Sequence, residues 1–316
     1  MGIDNFLSLF TEKFFNASIR MATPLILAAI GEVYLERAGI LNLGLEAMML
    51  LGAFFGVLGA SLSGSPIIGL LSAIMAGLFA GLIFGIWVIS LRANQIVTGA
   101  AMNIAALGLT SFLSRVIFGI RTLPTQVTGF KEWPIPILSD IPVIGRILFY
   151  HTPLVYFALF LVIIMTFILF RTTWGLKIRA IGEHPRASES VGIGVLSWRY
   201  GMSLLCGGLC GIAGATLSLA QLTTFVDNMT AGRGFIALAA VIFGRWNPIG
   251  ASAASLVFGA TDALQMRFQA FSVGLPPDIF LMLPYLLTLV GVIVFRSRRT
   301  QAPVALAKPY KREDAY

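Results

Sequence analysis

The sequence has few of the residues that carry redox, metal or acid–base chemistry. Its 316 residues include two cysteines and two histidines, and 11% of them are charged. Because a soluble domain typically has about 25% charged residues, a soluble globule is excluded. Cys206 and Cys210 stand four apart in an apolar run, without C-x-x-C spacing or a neighbouring histidine. We interpret them as small buried residues rather than a redox or metal pair.

Motifs for energy coupling and catalysis are also missing. The chain has no G-x-x-x-x-G-K-[ST] loop for nucleotide phosphates and no H-E-x-x-H zinc motif. It lacks the run of intramembrane carboxylates that proton-coupled pumps use as relays, and no cluster of acid, base and nucleophile is visible. The histidines, His151 and His184, fall in segments expected on opposite sides of a membrane. A membrane enzyme is therefore disfavoured, and an external motor is expected.

The sequence is rich in long runs of apolar residues. Hydrophobic residues make up 57% of it, and its mean hydropathy is +0.88. Apolar runs of about 20 residues recur, which predicts an all-α polytopic membrane helix bundle of about eight to ten spans, nine being favoured, in a single domain of residues 1–316. The start has no basic region and no cleavage site, so an uncleaved first span is expected. The predicted spans are residues 14–30, 40–62, 67–91, 96–117, 153–170, 200–220, 235–243, 249–266 and 279–295.

The net charge of +8 follows membrane topology rather than nucleic-acid binding. Half of the 22 Lys and Arg residues lie in a polar segment at 171–199 and in the tail at 296–316. The positive-inside rule places both in the cytoplasm, and the tail is also expected to be attracted to anionic membrane lipid. The proline-rich residues 119–150 then form a structured external loop, and nine spans leave the N-terminus outside.

Residues 172–198 form one long polar, basic segment within this apolar chain. Pro185 suits a first helical position, where its missing N–H costs nothing, so a short cytoplasmic helix from Pro185 to Val191 is predicted. Candidate caps are Glu183 and His184 before this helix and Gly192 and Gly194 after it. A membrane protein rarely keeps an ordered helix outside the lipid unless a partner docks on it. The alternative is a positively charged loop that only fixes topology.

Polar groups inside the bilayer are costly and therefore informative. Asn42 and Glu46 are four apart, so we expect them to share a helix face directed at a cavity. The alternative is that Glu46 pairs with Arg37. Asp262 either lines the path or pairs with Arg267, and other polar side chains either line it or bond across helices. The candidate path residues are Asn42, Glu46, Asn103, Gln221 and Asp262.

Small residues recur every four positions in two of the predicted spans. Such spacing lines one helix face and lets two backbones approach closely. It predicts a compact bundle and gives no information about the solute. The two sets are Gly77, Gly81 and Gly85, and Gly207, Gly211 and Ala215.

Two stretches resemble a known family, the permease subunits of bacterial ABC importers for simple sugars, nucleosides and branched-chain amino acids. Residues 36–49, E-R-A-G-I-L-N-L-G-L-E-A-M-M, are similar to the E-[RK]-[AS]-G-x-x-N-[IL]-G-[LI]-E-G-M-M stretch of the nucleoside branch. Residues 175–187, G-L-K-I-R-A-I-G-E-H-P-R-A, are similar to the loop G-x-x-[IL]-R-A-x-G-E-N-P-x-A. The chain departs at His184, where the family usually has Asn, and at Ala47, where it usually has Gly.

The resemblance implies a permease that takes its energy from a separate subunit. The second motif would be a coupling helix seated on an ATP-binding subunit, and that subunit, not this chain, would bind ATP and Mg. A second, usually different permease subunit and an extracytoplasmic solute-binding protein are also implied, in the bacterial cytoplasmic (inner) membrane. This chain matches the shorter permease of the pair. The coupling residues would be Gly182, Glu183, His184, Pro185, Arg186 and Ala187.

The solute expected from the resemblance is a nucleoside, with a simple sugar as the alternative. A hypothesis of a different class stays open, a stand-alone secondary transporter or channel. It predicts solute flux without any ATPase.

Overall fold

The computed structural model describes residues 12–119, 125–136, 138–139, 141, 144–270, 282–283, 286–289 and 302–311. These residues form a helical bundle with one two-residue β ladder. The helices are α1 Glu12–Arg37, α2 Leu45–Ser63, α3 Pro66–Gly85, α4 Gln95–Phe118, α5 Ile144–Leu148, α6 Pro153–Arg171, α7 Thr173–Glu183, α8 Pro185–Ser190, α9 Val195–Ala215, α10 Arg233–Phe243 and α11 Pro248–Ala270. Short π-helical segments extend α3 over Ile86–Ser90 and α9 over Thr216–Gln221, and the strands are β1 Trp133–Pro134 and β2 Tyr150–His151.

The end of α1 differs from the sequence prediction. The polar stretch at 31–39 was predicted to separate two spans, but α1 continues through it to Arg37. Its Glu, Leu and Arg residues are good helix formers, and the carboxylates of Glu32 and Glu36 find partners inside the bundle. The chain leaves the helix at Gly39, whose φ of +89° is one that glycine adopts readily. The second span consequently begins at Leu45 rather than near residue 40.

The bundle has an inner and an outer set of helices. Most of α1, α2 and α9 is buried, whereas α3, α4 and α6 are largely exposed. The outer helices expose large apolar side chains, which in water would form patches far larger than soluble monomers tolerate. These faces fit lipid or another membrane protein. They include Met75, Phe79, Ile104, Phe112 and Ile163.

The predicted close packing of glycine faces is confirmed between α3 and α9. A Cβ on Gly77 would lie 2.2 Å from the Gly207 carbonyl oxygen, and a Cβ on Gly207 would lie 2.3 Å from that of Gly77. A Cβ on Gly211 would lie equally close to the Ala73 carbonyl oxygen, at 2.3 Å. Any side chain at these three positions would have to push the helices apart. The spacing of small residues therefore identified two faces that allow close packing, and the structure shows that they pack against each other.

Six helices in the described part of the chain are long and apolar enough to cross a membrane, so the favoured count of nine is not confirmed. They are α1, α2, α4, α6, and α3 and α9 with their π-helical extensions. The predicted seventh span, α10, has 11 residues, about 16 Å of helix, which is too short to span a bilayer. The predicted ninth span, residues 279–295, lies largely outside the described residues.

Contacts between distant segments define the two ends of the bundle. At one, called here the α8 end, Arg37 Nε donates to the Trp246 carbonyl over 2.9 Å, and Ala305 N donates to the Gly182 carbonyl over 2.9 Å. At the other, the β1 end, Phe130 N donates to the Leu219 carbonyl over 2.8 Å. The predicted loop at 119–150 belongs to the β1 end, where its described residues include the ladder between β1 and β2.

Candidate functional site

The first motif contains a buried stretch of non-helical backbone, residues 38–44, in which no residue is exposed. Such backbone is tolerated in a membrane protein only where protein groups or water satisfy it. Leu41 N donates to Gln95 Oε1 over 2.8 Å, and Asn42 N donates to Glu32 Oε1 over 2.8 Å. Asn103 Nδ2 donates to the Leu43 carbonyl over 2.9 Å. Polar side chains from α1 and α4 thus hold this stretch in place.

Asn42 belongs to the buried stretch itself. It precedes α2 rather than lying on it, so the prediction that Asn42 and Glu46 share a helix face is wrong. The residue is fully buried, and its Oδ1 accepts the Gly44 N–H over 2.8 Å. This bond between an asparagine and the backbone two residues on is a local turn bond, which competes with helix formation. It explains why the helix begins only after Gly44.

Glu46 caps the start of α10. Its two carboxylate oxygens accept the N–H groups of Gly232 and Gly234, each over 2.7 Å, and the residue is 8% exposed. These donors are among those that the first turn of a helix leaves without partners, and a negative charge there also complements the helix dipole. The alternative pairing with Arg37 is wrong, because the Arg37 guanidinium donates to the Trp246 and Arg245 carbonyls instead.

Asp262 also lies beside the start of α10. Its carboxylate is 4.0 Å from the Arg233 guanidinium, and both side chains are largely buried. The structure therefore pairs Asp262 with Arg233 rather than with Arg267, whose guanidinium lies 5.6 Å from the centre of the Phe14 ring. Because Arg233 stands between Gly232 and Gly234, Glu46 and Asp262 flank the same helix start. Two of the five candidate path residues are brought together here.

The other candidates bond elsewhere. Asn103 supports the buried stretch, and its Oδ1 also accepts the Ala47 N–H over 3.0 Å. Gln221 lies towards the β1 end, where its Nε2 donates to the Arg20 carbonyl over 2.9 Å. Hydrogen bonding across helices, the alternative given for these amides, is what the structure has at both positions.

The sequence reasoning missed two buried carboxylates of α1. Glu32 and Glu36 are 0% and 1% exposed. Glu32 supports the Asn42 backbone, and Glu36 accepts a hydrogen bond from the Trp246 indole N–H. Their spacing of four residues in a sequence of helix formers was the available signal, since it places both on one helix face. The partner of Glu36, Trp246, lies 210 residues further along the chain and could not be read from the sequence.

The second motif forms the predicted short helix. Pro185 is the first residue of α8, which ends at Ser190, and Gly192 follows it with a φ of +84°. His184 occupies the position before the helix but makes no side-chain capping bond, so the expected histidine cap is not formed. The motif residues of α8 are largely open to solvent, with His184, Arg186 and Ala187 exposed.

A second helix of this segment was not predicted. α7 precedes α8, and its buried residues Gly175, Ile178, Ile181 and Gly182 recur every three or four positions. That period was the signal for an amphipathic helix. Gly182 packs against the end of α1 so tightly that a Cβ there would lie 2.1 Å from the Arg37 carbonyl oxygen. The exposed α8 is therefore connected, through α7, to the end of α1 and its bonded neighbours.

A multi-pass bundle with an ordered, exposed helix at one end has the architecture of a membrane permease that works with a separate partner. Residues 14–292 match the family described as branched-chain amino acid transport system / permease component, and the chain belongs to that family. It is a transmembrane permease component of an ABC importer, and the role of this family is permeation rather than catalysis.

Curated relatives cover nearly the whole chain. It is 40% identical over 305 residues to the guanosine ABC transporter permease protein NupQ of Bacillus subtilis, covering 93% of this chain and 95% of the relative. It is 39% identical over 288 residues to the nucleoside ABC transporter permease protein NupC of Lactococcus lactis, covering 88% and 90%. It is 36% identical over 330 residues to the putative glucose ABC transporter permease protein TsgC13 of Haloferax volcanii, covering 96% and 99%. No solved structure matches the chain.

Proposed function

We propose that this permease imports nucleosides, as half of a translocation path completed by a second, different permease subunit. The observation that carries the solute is the identity of 40% and 39% to relatives named for guanosine and nucleosides over about nine-tenths of the chain. A simple sugar is the second candidate, favoured by the 36% identity to a relative named for glucose.

The proposed motor is a separate ATP-binding subunit, which binds the ATP and Mg and docks on α8 from the cytoplasm. The exposure of His184, Arg186 and Ala187 supports this assignment. An extracytoplasmic protein delivers the solute at the opposite face of the cytoplasmic membrane. Coupling then works by differential affinity, since ATP and loaded binding protein each favour one of two conformations of the permease.

The contacts of the second motif suggest how movement of α8 would reach the path. Gly182 touches the end of α1, where Arg37 is bonded to the turn that joins α10 and α11. The far end of α10 is bonded to Glu46. A displacement at α8 therefore acts on the end of α1 and on α10 together. The residues proposed to line the path are Asn42, Glu46, Asn103 and Asp262, together with Gln221 nearer the β1 end.

The test is uptake by the reconstituted complex. The chain is purified with its co-expressed partner subunits and reconstituted in lipid vesicles. Radiolabelled guanosine and the binding protein are added on one side of the membrane, and ATP is supplied or omitted on the side that carries the ATPase. We expect ATP-dependent guanosine uptake that unlabelled glucose does not compete away. Guanosine flux that needs no ATP would instead identify a secondary transporter or channel, and ATP-dependent uptake of labelled glucose without uptake of guanosine would assign a sugar.

A charge reversal tests the role of α8 in the same vesicles. Arg186→Glu should lower solute-stimulated ATP hydrolysis and uptake together, because it changes an exposed residue of the proposed docking helix. The matched control is Arg92→Glu, an equal change of charge at an exposed residue between α3 and α4. If the two variants had equal solute-stimulated ATP hydrolysis and equal uptake, docking at α8 would be refuted.

A further inference from the structure

The described tail, residues 302–311, folds back onto the second motif. Ala305 N donates to the Gly182 carbonyl over 2.9 Å, and Val304 N donates to Glu183 Oε2 over 3.5 Å. Near its end, the Tyr310 hydroxyl donates to the Glu189 carboxylate. The tail therefore runs alongside α7 and α8 and makes bonds at both of its ends.

Tyr310 anchors this contact. It is 7% exposed and packs in a small apolar cluster with Ile181 and Val195, apart from the main core. The Arg199 guanidinium lies 5.7 Å from the centre of the tyrosine ring, and Arg199 Nε donates to the Ala38 carbonyl over 3.1 Å. The tail is thus tied to α9 and to the buried stretch of the first motif, as well as to α8.

Between α8 and the tail lies a groove of about 500 Å³, to which both segments contribute a wall. The carboxylates of Glu183 and Glu189 bond to the tail. Two exposed lysines of the tail, Lys308 and Lys311, border this groove. An occupant of this groove would therefore carry acidic groups. The lining residues are Glu183–Ala187, Val304, Ala305 and Lys308–Lys311.

We infer that the tail supplies the second wall of the docking site for the ATP-binding subunit, and that an acidic segment of that subunit sits between α8 and residues 304–311. The inference rests on the proposed docking at α8 and adds a surface that the second motif alone does not provide. A protein segment fits better than a lipid surface because the basic residues border a concave groove with α8 as one wall. A flat membrane surface would contact Lys308 and Lys311 without needing that wall.

Engineered thiols can test both walls separately. Cys206 and Cys210 are the chain's two cysteines and both are fully buried. Labelling of the folded protein by a thiol reagent therefore measures the exposure of an added surface cysteine. The variants are Ala187→Cys on α8, Lys308→Cys on the tail and Arg92→Cys as the exposed control. Maleimide labelling rates are compared between the complex holding its ATPase and the permease stripped of it. We expect bound ATPase to slow labelling at least about tenfold at 187 and 308, and not at 92, since thiol reactivity follows exposure.

The outcomes separate this inference from the proposed function. Protection at 187 without protection at 308 overturns the tail wall and leaves docking at α8 intact. Protection at neither position overturns both. Protection at 308 by vesicles rich in phosphatidylserine, with no ATPase present, assigns the tail to lipid and also overturns the inference.

A charge test gives an independent readout. Lys308→Glu with Lys311→Glu should reduce the amount of ATPase that copurifies at low salt, and the reduction should shrink as salt screens both proteins. Arg92→Glu should leave copurification unchanged. Full ATPase retention by the double variant would overturn the acidic-segment inference.

Discussion

In residues 36–49 the polar side chains are turned inward and bonded, whereas in residues 182–187 several are turned outward. Asn42 and Glu46 are buried and their polar atoms bond to backbone N–H groups from the same or distant segments. His184 and Arg186 are exposed on a short helix at the end of the bundle. Both regions carry the resemblance to the same family, and both interrupt the apolar pattern of the chain.

The difference teaches that a polar motif in a membrane protein can serve either the fold or a partner. An unsatisfied polar group inside the bundle is costly, so the first motif satisfies its own irregular backbone. The second motif lies where water can satisfy its polar groups, so its residues do not have to stabilise the fold and can serve contact with a partner. Changes in the first region should therefore cost stability, and changes in the second should cost coupling.

The largest loss of stability is expected for Glu46→Ala. It removes the acceptors from the buried N–H of Gly234 and the partly buried N–H of Gly232, each worth about 1–3 kcal/mol when left unsatisfied in the interior, so up to about 6 kcal/mol in all. Unfolding in detergent can be followed by the reaction of Cys206 and Cys210 with a thiol-reactive fluorophore, because both become accessible only on opening.

Glu46→Gln is the control for this change. It keeps the shape and one acceptor oxygen, so its loss of stability should be clearly smaller. If the Glu46→Ala variant unfolded at the same temperature as the wild type, the Glu46 carboxylate would not be stabilising the start of α10. A direct contact of Glu46 with the solute would then gain support.

Gly99→Leu should have the next largest effect. A Cβ at Gly99 would lie 2.7 Å from Gly44 N and 2.9 Å from the Leu43 carbonyl carbon, so a leucine must displace the buried stretch, at about 1–3 kcal/mol for overpacking. The matched control is Gly108→Leu on the same helix, where nothing lies within 4 Å of the added Cβ. Equal melting temperatures for the two variants would mean that the stretch at 38–44 yields easily.

Tyr310→Phe should loosen the tail without unfolding the bundle. It removes the hydroxyl bond to Glu189, about 1 kcal/mol, so hydrogen exchange over residues 303–311 should quicken about fivefold while exchange in α9 is unchanged. Unchanged exchange in the tail would show that this hydroxyl does not hold it.

The same contact has a defined dependence on pH. Burial, together with the hydrogen bond to the Glu189 carboxylate, raises the pKa of Tyr310 from 10.0 to about 12. Because the folded pKa is the higher one, the neutral phenol stabilises the docked tail fully below pH 10, and this contribution is lost as the pH rises towards 12. Protection of the tail amides, measured relative to the intrinsic base-catalysed exchange rate at each pH, should lack this dependence in the Phe variant.

Arg186→Glu should have the smallest effect on stability, within about 0.5 kcal/mol, because the side chain is exposed on α8. If this variant loses solute-stimulated ATP hydrolysis but keeps the wild-type melting temperature, the second motif serves coupling and not the fold, in contrast to the first motif. A large drop in melting temperature would mean instead that the second motif also serves the fold.

The sequence predicted those features whose physical cause is local. Pro185 and Gly192 marked the limits of α8, because the fixed φ of proline suits the first turn of a helix and glycine readily adopts the positive φ found after its end. The four-residue spacing of glycines gave the faces by which α3 and α9 meet, since that spacing fixes one side of a helix. Apolar length identified the long spans, and the two motifs together gave the family.

What the sequence could not supply were the partners of buried polar groups. Glu46 looked like a path residue or a partner of Arg37, but it bonds to the start of α10, more than 180 residues away. Glu36 bonds to Trp246 at a similar distance along the chain. Such contacts depend on how the helices are arranged, and no local pattern encodes them. The prediction of residues 235–243 as a full span was an error of a different kind, because the shortness of this run was visible in the sequence itself.

The glycine contact between α3 and α9 restricts how this protein can move. With carbonyl oxygens and Cα atoms of Gly77 and Gly207 in direct contact, neither helix can slide or rotate against the other without a backbone clash, so the two form one rigid body. We expect bending during transport to fall to the non-helical segments that adjoin this pair, residues 91–94 after the extended α3 and 222–232 after the extended α9. Such segments are where hinge motions are usually absorbed.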